Sequence, residues 1–455
     1  MTPPTETVVP FFRTGNYAPV NDELTAFDLQ VKGAIPPELN GWYLRNGPNP
    51  RRATRHWFTG DGMVHGVRLE NGRAAWYRNR WVRTDSFDDP FPLYNADGSR
   101  NLHSSRANTH VIRHAGKTLA LVESSLPYEI SNELETLGAY DFDGKLVDSM
   151  TAHPKICPIT GELHFFGYGS LASPYVTYYR ADASGSLTVS RGVEVPGLTM
   201  MHDFALTAKH VIFMDLAIVF NLDIAVNSNG DMPFRWDDSY GARLGVLRRD
   251  DPYGAIRWFD IDPCYVFHVA NAYDMGNPIV LQAVRYPELW RNNEQWQSNG
   301  GFGADGVMWR WTVDLQRGTV EEYQLDDRTV EFPRIDDRLA GLPARYAITV
   351  GSHDGVAPAY RSGNLVRYDL TDGTVQEHRF DADGATGAPG EAVFAPAGSG
   401  ADELAGWYLS YVYDPVRDGS DLVIVDASDF TAKPAARVHL PRRVPHGFHG
   451  SWITD

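Results

Sequence analysis

From Gly41 to the C-terminus, apolar and polar residues alternate in short runs, and two-residue turn signals cut each run from the next. Residues 64–69 and 74–82 show the pattern, separated by Glu70-Asn71-Gly72-Arg73. Asn-Gly between alternating segments is a strong hairpin signal, because the tight turn that suits twisted strands needs positive φ at both central positions. Similar turns recur at 114–117, 142–145, 183–186, 316–319 and 371–374, flanked by runs rich in Val, Ile, Tyr, Trp and Phe that suit a pleated surface. No segment sustains a 3.6-residue period over several turns; 287–292 and 328–340 have room for a helical turn or two. No Pro/Gly/Ser-rich linker divides the hairpins. The pattern predicts one closed all-β domain, with a propeller of four-stranded blades as first choice and a pair of sandwiches as second. The hairpins follow no fixed period, so spacing does not count the blades.

Length changes this picture little: 455 residues alone suggest two or three domains, but closed β architectures hold as many in one. With 22% charged and 12% aromatic residues, 42 glycines and 29 prolines, the chain is globular and turn-rich rather than disordered. A formal net charge of -17 argues against nucleic acid as a partner. Cys157 and Cys264 read as two core thiols rather than a disulfide. Residues 1–7 carry no basic region or long apolar run, so no secretory signal is visible, and no stretch of about 20 apolar residues predicts a spanning helix. The expectation is a soluble cytoplasmic protein. Residues 87–94 and 216–222 are candidates for the rim of an apolar tunnel or for peripheral contact with a membrane; the second reads equally as a buried strand.

Among fifteen histidines, His56, His65, His103, His110, His114, His164, His210, His353, His378 and His439 sit in mixed or polar contexts and read as surface or hydrogen-bonded residues. His153, His202, His268 and His449 differ, and at least three of them adjoin apolar or aromatic neighbours that predict burial. A buried neutral imidazole must satisfy one donor and one acceptor nitrogen. Metal ligation uses the acceptor, and a carboxylate or carbonyl takes the proton on the other. The spacing is long and unequal, unlike a zinc finger or a His-Glu-x-x-His helix. His449 lies in Gly447-Phe448-His449-Gly450, and chain ends fray unless something holds them. His446 competes with it for the last position of the set.

Eight segments then occur in order: Asn46–Pro50, Phe58–Met63, Ala107-Asn108-Thr109, Thr151–Pro154, Met201–Phe204, Phe267–Ala272, Glu331–Ile335 and Gly447–Gly450. In order and context they resemble the carotenoid cleavage oxygenases, from about Ile35 to Trp452. The resemblance implies a seven-bladed β-propeller over 35–455, preceded by an N-terminal extension at 1–34, with loops and short helices capping an axial iron. It implies a non-haem Fe(II) held by His153, His202, His268 and His449. It also places Glu123 behind His202, Glu331 behind His268 and Glu391 behind His449, leaving His153 without a carboxylate. From the residues alone, Glu331 and Glu391 read as ordinary strand-end surface acids.

Four neutral imidazoles leave the ion its full charge, and carboxylates one shell out fix ring orientation. Up to two octahedral positions remain open, and Thr109, matched to the family's Asn-Thr segment, is expected to crowd one with its methyl group. The reaction implied is insertion of O2 across one C=C bond of a hydrophobic conjugated substrate, giving two carbonyl fragments. Phe166, Phe267 and Phe448 are candidates for aromatic walls that stabilise positive charge developing on the polyene, with plain packing as the alternative. In the family branch that cleaves phenolic stilbenes, a lysine stands before the first of the three glutamates; here it is Val122, which favours a carotenoid or apocarotenoid. The alternatives are stilbene or phenylpropanoid cleavage, a non-oxidative isomerohydrolase like that of the visual cycle, and a propeller that binds without catalysis.

Overall fold

The computed structural model describes residues 10–54, 56–227, 232–291, 305–351, 363–380 and 387–455. His353, read above as a surface or hydrogen-bonded residue, lies outside them. Seven antiparallel sheets form seven blades around one axis. In chain order they occupy 110–139, 155–193, 204–260, 269–324, 330–379 and 388–439, and the closing blade is built from 41–81 together with the C-terminus.

The inner strands of the blades are His110–His114, Lys155–Ile156, Phe204–Leu206, Val269–Asp274, Val330–Arg334, Val393–Pro396 and Gly450–Thr454; the third touches the fourth, the fourth the fifth, the sixth the seventh, and the seventh the first. The last is supplied by the chain terminus. It pairs antiparallel with Gly41–Pro48, with Gly41 opposite Thr454 and Arg45 opposite Gly450, so the two ends of the chain close the ring. Residues 24–33, placed by the sequence in the N-terminal extension, are strands of two blades. Leu24–Ala26 pairs with Arg73–Trp81, and Val31–Gly33 with Ala436–His439.

Five of the six turns join hairpins within a blade. At the first, Asn71 and Gly72 both have positive φ, 49° and 73°. Residues 142–145 instead connect two blades, because Phe142 turns inward and stacks on Phe165 with ring centroids 5.3 Å apart. Of the two helical candidates, 328–340 contains one 3-10 turn at Asp337–Leu339, and 287–291 forms no helix. The one α-helix among the described residues, Leu222–Asn227, follows the run at 216–222. That run is buried at Leu216–Ile218, and Ile218–Phe220 pairs with Phe234–Trp236 as a two-stranded ribbon. The ribbon and the loop around 85–105 meet over one end of the axis as a cap, with Phe220, Phe234, Phe91 and Leu93 lining one cavity beneath it. No described helix is long and apolar enough to cross a membrane, and both cysteines are free and buried.

Six of the ten histidines assigned to surface or hydrogen-bonded positions are buried: His56, His65, His110, His114, His164 and His378. Each has a hydrogen-bond partner, such as the Tyr178 hydroxyl 2.7 Å from His164 Nδ1. Burial pulls His56 down to about 3 and His164 to about 4. It also pulls His446 to about 3, aided by the Arg45 and Arg443 charges. The unfolded chain takes up these protons near pH 6.5 and the folded chain only near 3 to 4, so between those values the unfolded state binds more protons. Stability is therefore expected to fall as pH drops from 6.5, by roughly 1 kcal/mol per pH unit for each such histidine. Urea midpoints at pH 7, 5.5 and 4.5 check this; an unchanged midpoint at 4.5 contradicts it.

Candidate active site

His153, His202, His268 and His449 occupy equivalent places in four blades, one or two residues before the inner strand of each. An inner strand begins at the capped end of the axis, so a side chain just ahead of it meets its counterparts from the other blades. The structure brings all four together. Ring centroids of His153 lie 4.5, 5.0 and 4.5 Å from those of His202, His268 and His449. One ring nitrogen from each of His153, His268 and His449 lies within 4.8 Å of the others, and His202 Nε2 approaches His153 Nε2 to 3.0 Å.

Each element is held locally. Thr151 Oγ1 accepts from the His153 backbone N and donates to the His202 carbonyl. Asp203, almost fully buried, accepts from Phe204 N and Val269 N and pairs with Lys155, tying three blades together. His449 N donates to Thr109 O, and Asn46 N to His449 O. The glycines around His449 allow this approach: a Cβ on Gly447 would lie 2.8 Å from Arg45 Cζ, and one on Gly47 2.6 Å from Gly447 Cα. His446 lies elsewhere, with its ring 4.7 Å from that of Tyr17.

Three carboxylates meet the outer nitrogens. Glu123 Oε2 lies 2.6 Å from His202 Nδ1, Glu331 Oε2 2.5 Å from His268 Nδ1, and Glu391 Oε1 2.9 Å from His449 Nδ1. Among the described residues His153 has no acidic partner. Glu331 and Glu391 are 3% and 2% exposed, which overturns the residue-level reading of both as surface acids. A carboxylate accepts Nδ1–H and so leaves Nε2 as a bare lone pair. Burial first, and neighbouring imidazoles with it, hold His153 and His449 well below the ordinary imidazole range. Burial also pulls on His202, but Glu123, Asp203 and Glu331 outweigh it and raise that ring.

Sequence reasoning missed the groups behind the carboxylates. The Tyr286 hydroxyl donates to Glu331 Oε1 at 2.9 Å. Arg334 donates to Glu391 Oε2 at 3.1 Å and pairs with Asp337. Burial opposes the Arg334 charge, but Asp337 and Glu391 more than offset it and raise its pKa. Arg334 stands within the Glu331–Ile335 motif, so a signal for it existed; Tyr286 had none.

The histidines separate two cavities. One, of about 420 Å³, runs along the axis below them and includes His110, Lys155, Asp203 and Arg334 in its wall. The other, of about 340 Å³, lies under the cap against His202, His268 and His449. Its wall is largely apolar, with Phe58, Phe91, Leu93, Phe220, Phe234, Phe267 and Phe448. Both apolar runs singled out in the sequence contribute to it. Val122 and Thr109 line it too. The Thr109 hydroxyl donates to Asn108 Oδ1, whose amide is fixed by the Phe58 and Gly60 carbonyls, which leaves the methyl as the free group.

Phe166 is not in this wall. It is fully buried within its blade, edge-on to Phe204 at 5.3 Å, and Tyr168, two residues nearer the capped end of the same strand, lines the cavity instead. Phe166→Leu is therefore expected to lower stability by about 1 kcal/mol and to leave ligand affinity within twofold. A denaturation midpoint and a binding titration check both halves.

The donor set fits a divalent transition metal. Imidazole nitrogens at about 2.1 Å from one ion and at right angles stand about 3.0 Å apart, the separation between His153 Nε2 and His202 Nε2.

Residues 17–454 match the family model described as retinal pigment epithelial membrane protein. The carotenoid cleavage oxygenase of Mycobacterium tuberculosis is 39% identical over 96% of each chain. Carotenoid 9,10(9',10')-cleavage dioxygenase 1 of Pisum sativum is 33% identical over 97% of this chain and 90% of its own. Among solved structures, cobalt-substituted Synechocystis ACO is similar with a TM-score of 0.85 and 27% identity, covering 96% of this chain and 97% of that one. Pseudomonas brassicacearum lignostilbene dioxygenase is similar with a TM-score of 0.86 and 28% identity over 98% of both.

Proposed function

The chain belongs to the carotenoid cleavage oxygenase family, and from that premise we propose that it is an Fe(II)-dependent dioxygenase cleaving one C=C bond of a carotenoid or apocarotenoid into two carbonyl products. The observation that carries this reading is the convergence of four imidazoles, three of them backed at Nδ1 by buried carboxylates. His153, His202, His268 and His449 would hold the metal through their bare nitrogens. Iron bound there would activate O2, and the C=C bond of the substrate would supply the electrons that take both oxygens to the carbonyl level.

The protein's own part is to bind, orient and exclude water. Glu123, Glu331 and Glu391 hold three rings in one tautomer. The aromatic wall of the cavity keeps the reacting bond dry, and Phe267 and Phe448 offer ring faces to positive charge developing on the polyene. The Thr109 methyl limits the space beside the histidines to a small molecule such as O2. Val122 lines the cavity where a phenol-binding lysine would stand in the stilbene-cleaving branch, which favours the polyene over a stilbene. The exposed Leu93 and Leu222, at and beside the cavity wall, suit peripheral contact with a membrane in which such a substrate dissolves.

The test is turnover under 18O2 with rapid borohydride trapping of products. One labelled oxygen in each fragment is expected. Unlabelled products would favour non-oxidative chemistry. An iron-loaded protein that cleaves no carotenoid, apocarotenal or stilbene would leave the binding-only reading standing.

A further inference from the structure

One group in the cavity wall has no use in the chemistry above. Arg100 lines the apolar cavity, yet among the described residues it makes no ion pair. Its Nε donates to Ser124 O at 3.0 Å, and Nη1 donates to the Tyr94 hydroxyl and to Gly169 O, both at 2.9 Å. The Tyr94 hydroxyl in turn donates to Gly169 O. Three neutral oxygens therefore fix one edge of the guanidinium, and the two N–H groups of Nη2 have no protein acceptor among the described residues.

The seat is built for this side chain. Gly169 has φ +96°, and a Cβ on it would run into Nη1 and come within 2.9 Å of Cζ. The positive φ favours glycine, and the bare Cα lets the guanidinium lie close. The contrast with Arg106, the second arginine of the wall, is direct: Arg106 pairs with Asp61 at 2.9 Å. Glu123, next to Ser124 in the chain, is committed to His202.

The buried Asp148 carboxylate lies within electrostatic reach of Arg100 but accepts from Ser149 N and forms no ion pair with it, so the two N–H groups of Nη2 stay open to an acceptor brought by a ligand. A neutral carbonyl would satisfy the free N–H groups, but a carboxylate does so through a charge-assisted bond about twice as strong. We infer that Arg100 is a specificity-determining residue of the cavity and that the preferred substrate is a conjugated chain ending in a carboxylate. The inference rests on the cleavage reading for what happens to that chain, but not for its binding. Val122 removes the lysine contact of the stilbene branch, and Arg100, anchored on the carbonyl two residues further along, supplies a cation from a different part of the chain.

The test uses the full-length, iron-loaded protein under argon, so that ligand binds without turnover. Quenching of tryptophan fluorescence is titrated with an apocarotenoic acid, its methyl ester and the aldehyde of the same chain. The acid is expected to bind at least about 10-fold more tightly than the ester, the range of one charge-assisted hydrogen bond. Arg100→Gln is expected to abolish that preference. Equal affinity for acid and ester in the wild-type protein overturns the inference and needs no variant; so does a preference that survives in Arg100→Gln. Admitting air then separates the two readings: if no chain is cleaved, the dioxygenase reading fails while the binding preference still decides the role of Arg100.

Discussion

Replacing His268 by alanine is expected to strip the metal from the protein and to lower the cleavage rate at least about a thousandfold, equivalent to about 4 kcal/mol in the barrier. His268 borders both cavities, and its ring lies within 5.3 Å, centroid to centroid, of those of the other three histidines. Its loss removes one donor and leaves the Glu331 carboxylate facing a void, held among the described residues by the Tyr286 hydroxyl and Phe332 N. The gentler Glu331→Gln keeps the ring but changes the group that accepts its Nδ1–H. It is expected to weaken metal binding by about 10- to 100-fold, the usual effect of disturbing the partner behind a ligand. Metal content after anaerobic purification, chelator competition and product formation measure all three quantities. Stoichiometric iron with wild-type turnover in His268→Ala would refute the four-histidine centre.

Ending the chain after Phe448 is expected to abolish folding rather than activity alone. The truncation removes Gly450–Thr454, the innermost strand of the closing blade, and exposes the edge of Gly41–Pro48. It also takes His449 away from Glu391, which then keeps only Arg334 in a site 2% exposed. Losing a neutral imidazole's hydrogen bond to a buried carboxylate costs about 1.5–3 kcal/mol by itself, and the lost strand adds to this, against a total stability of about 5–15 kcal/mol for a typical domain. Full-length His449→Ala is the control: it retains the strand and is expected to melt cooperatively without metal. A cooperative melt from the truncated chain would mean that the terminus does not close the ring.

Much of the fold was legible because hairpins are local. Asn71-Gly72 sets a turn by the φ values its two residues tolerate, and the alternating runs beside it pair whatever surrounds them. The turn at 142–145 carries the same local signal but joins blades, since packing of Phe142 on Phe165 decided its use. Blade number was not legible by spacing, because the blades differ in length and the closing one draws strands from both ends of the chain. Phe166 was misplaced for a related reason: alternation tells which face of a strand a residue occupies, but not how far along the axis that face extends beyond the core. Tyr168 shares the face and reaches the cavity.

The sequence by itself determined the composition of the β-runs, their turns, and, through ordered motifs, which histidines and glutamates belong to one set. Only the tertiary structure decided that Nδ1 is the nitrogen by which three rings meet their carboxylates, that Tyr286 and Arg334 stand behind two of those carboxylates, and that Arg100 lines the cavity without a direct ion pair among the described residues. The physical reason is separation along the chain. A turn is fixed by the φ/ψ preferences of two or three neighbours, whereas Glu123 and His202 are 79 residues apart and meet only because seven sheets, each stable through its own local pairing, close around a common axis.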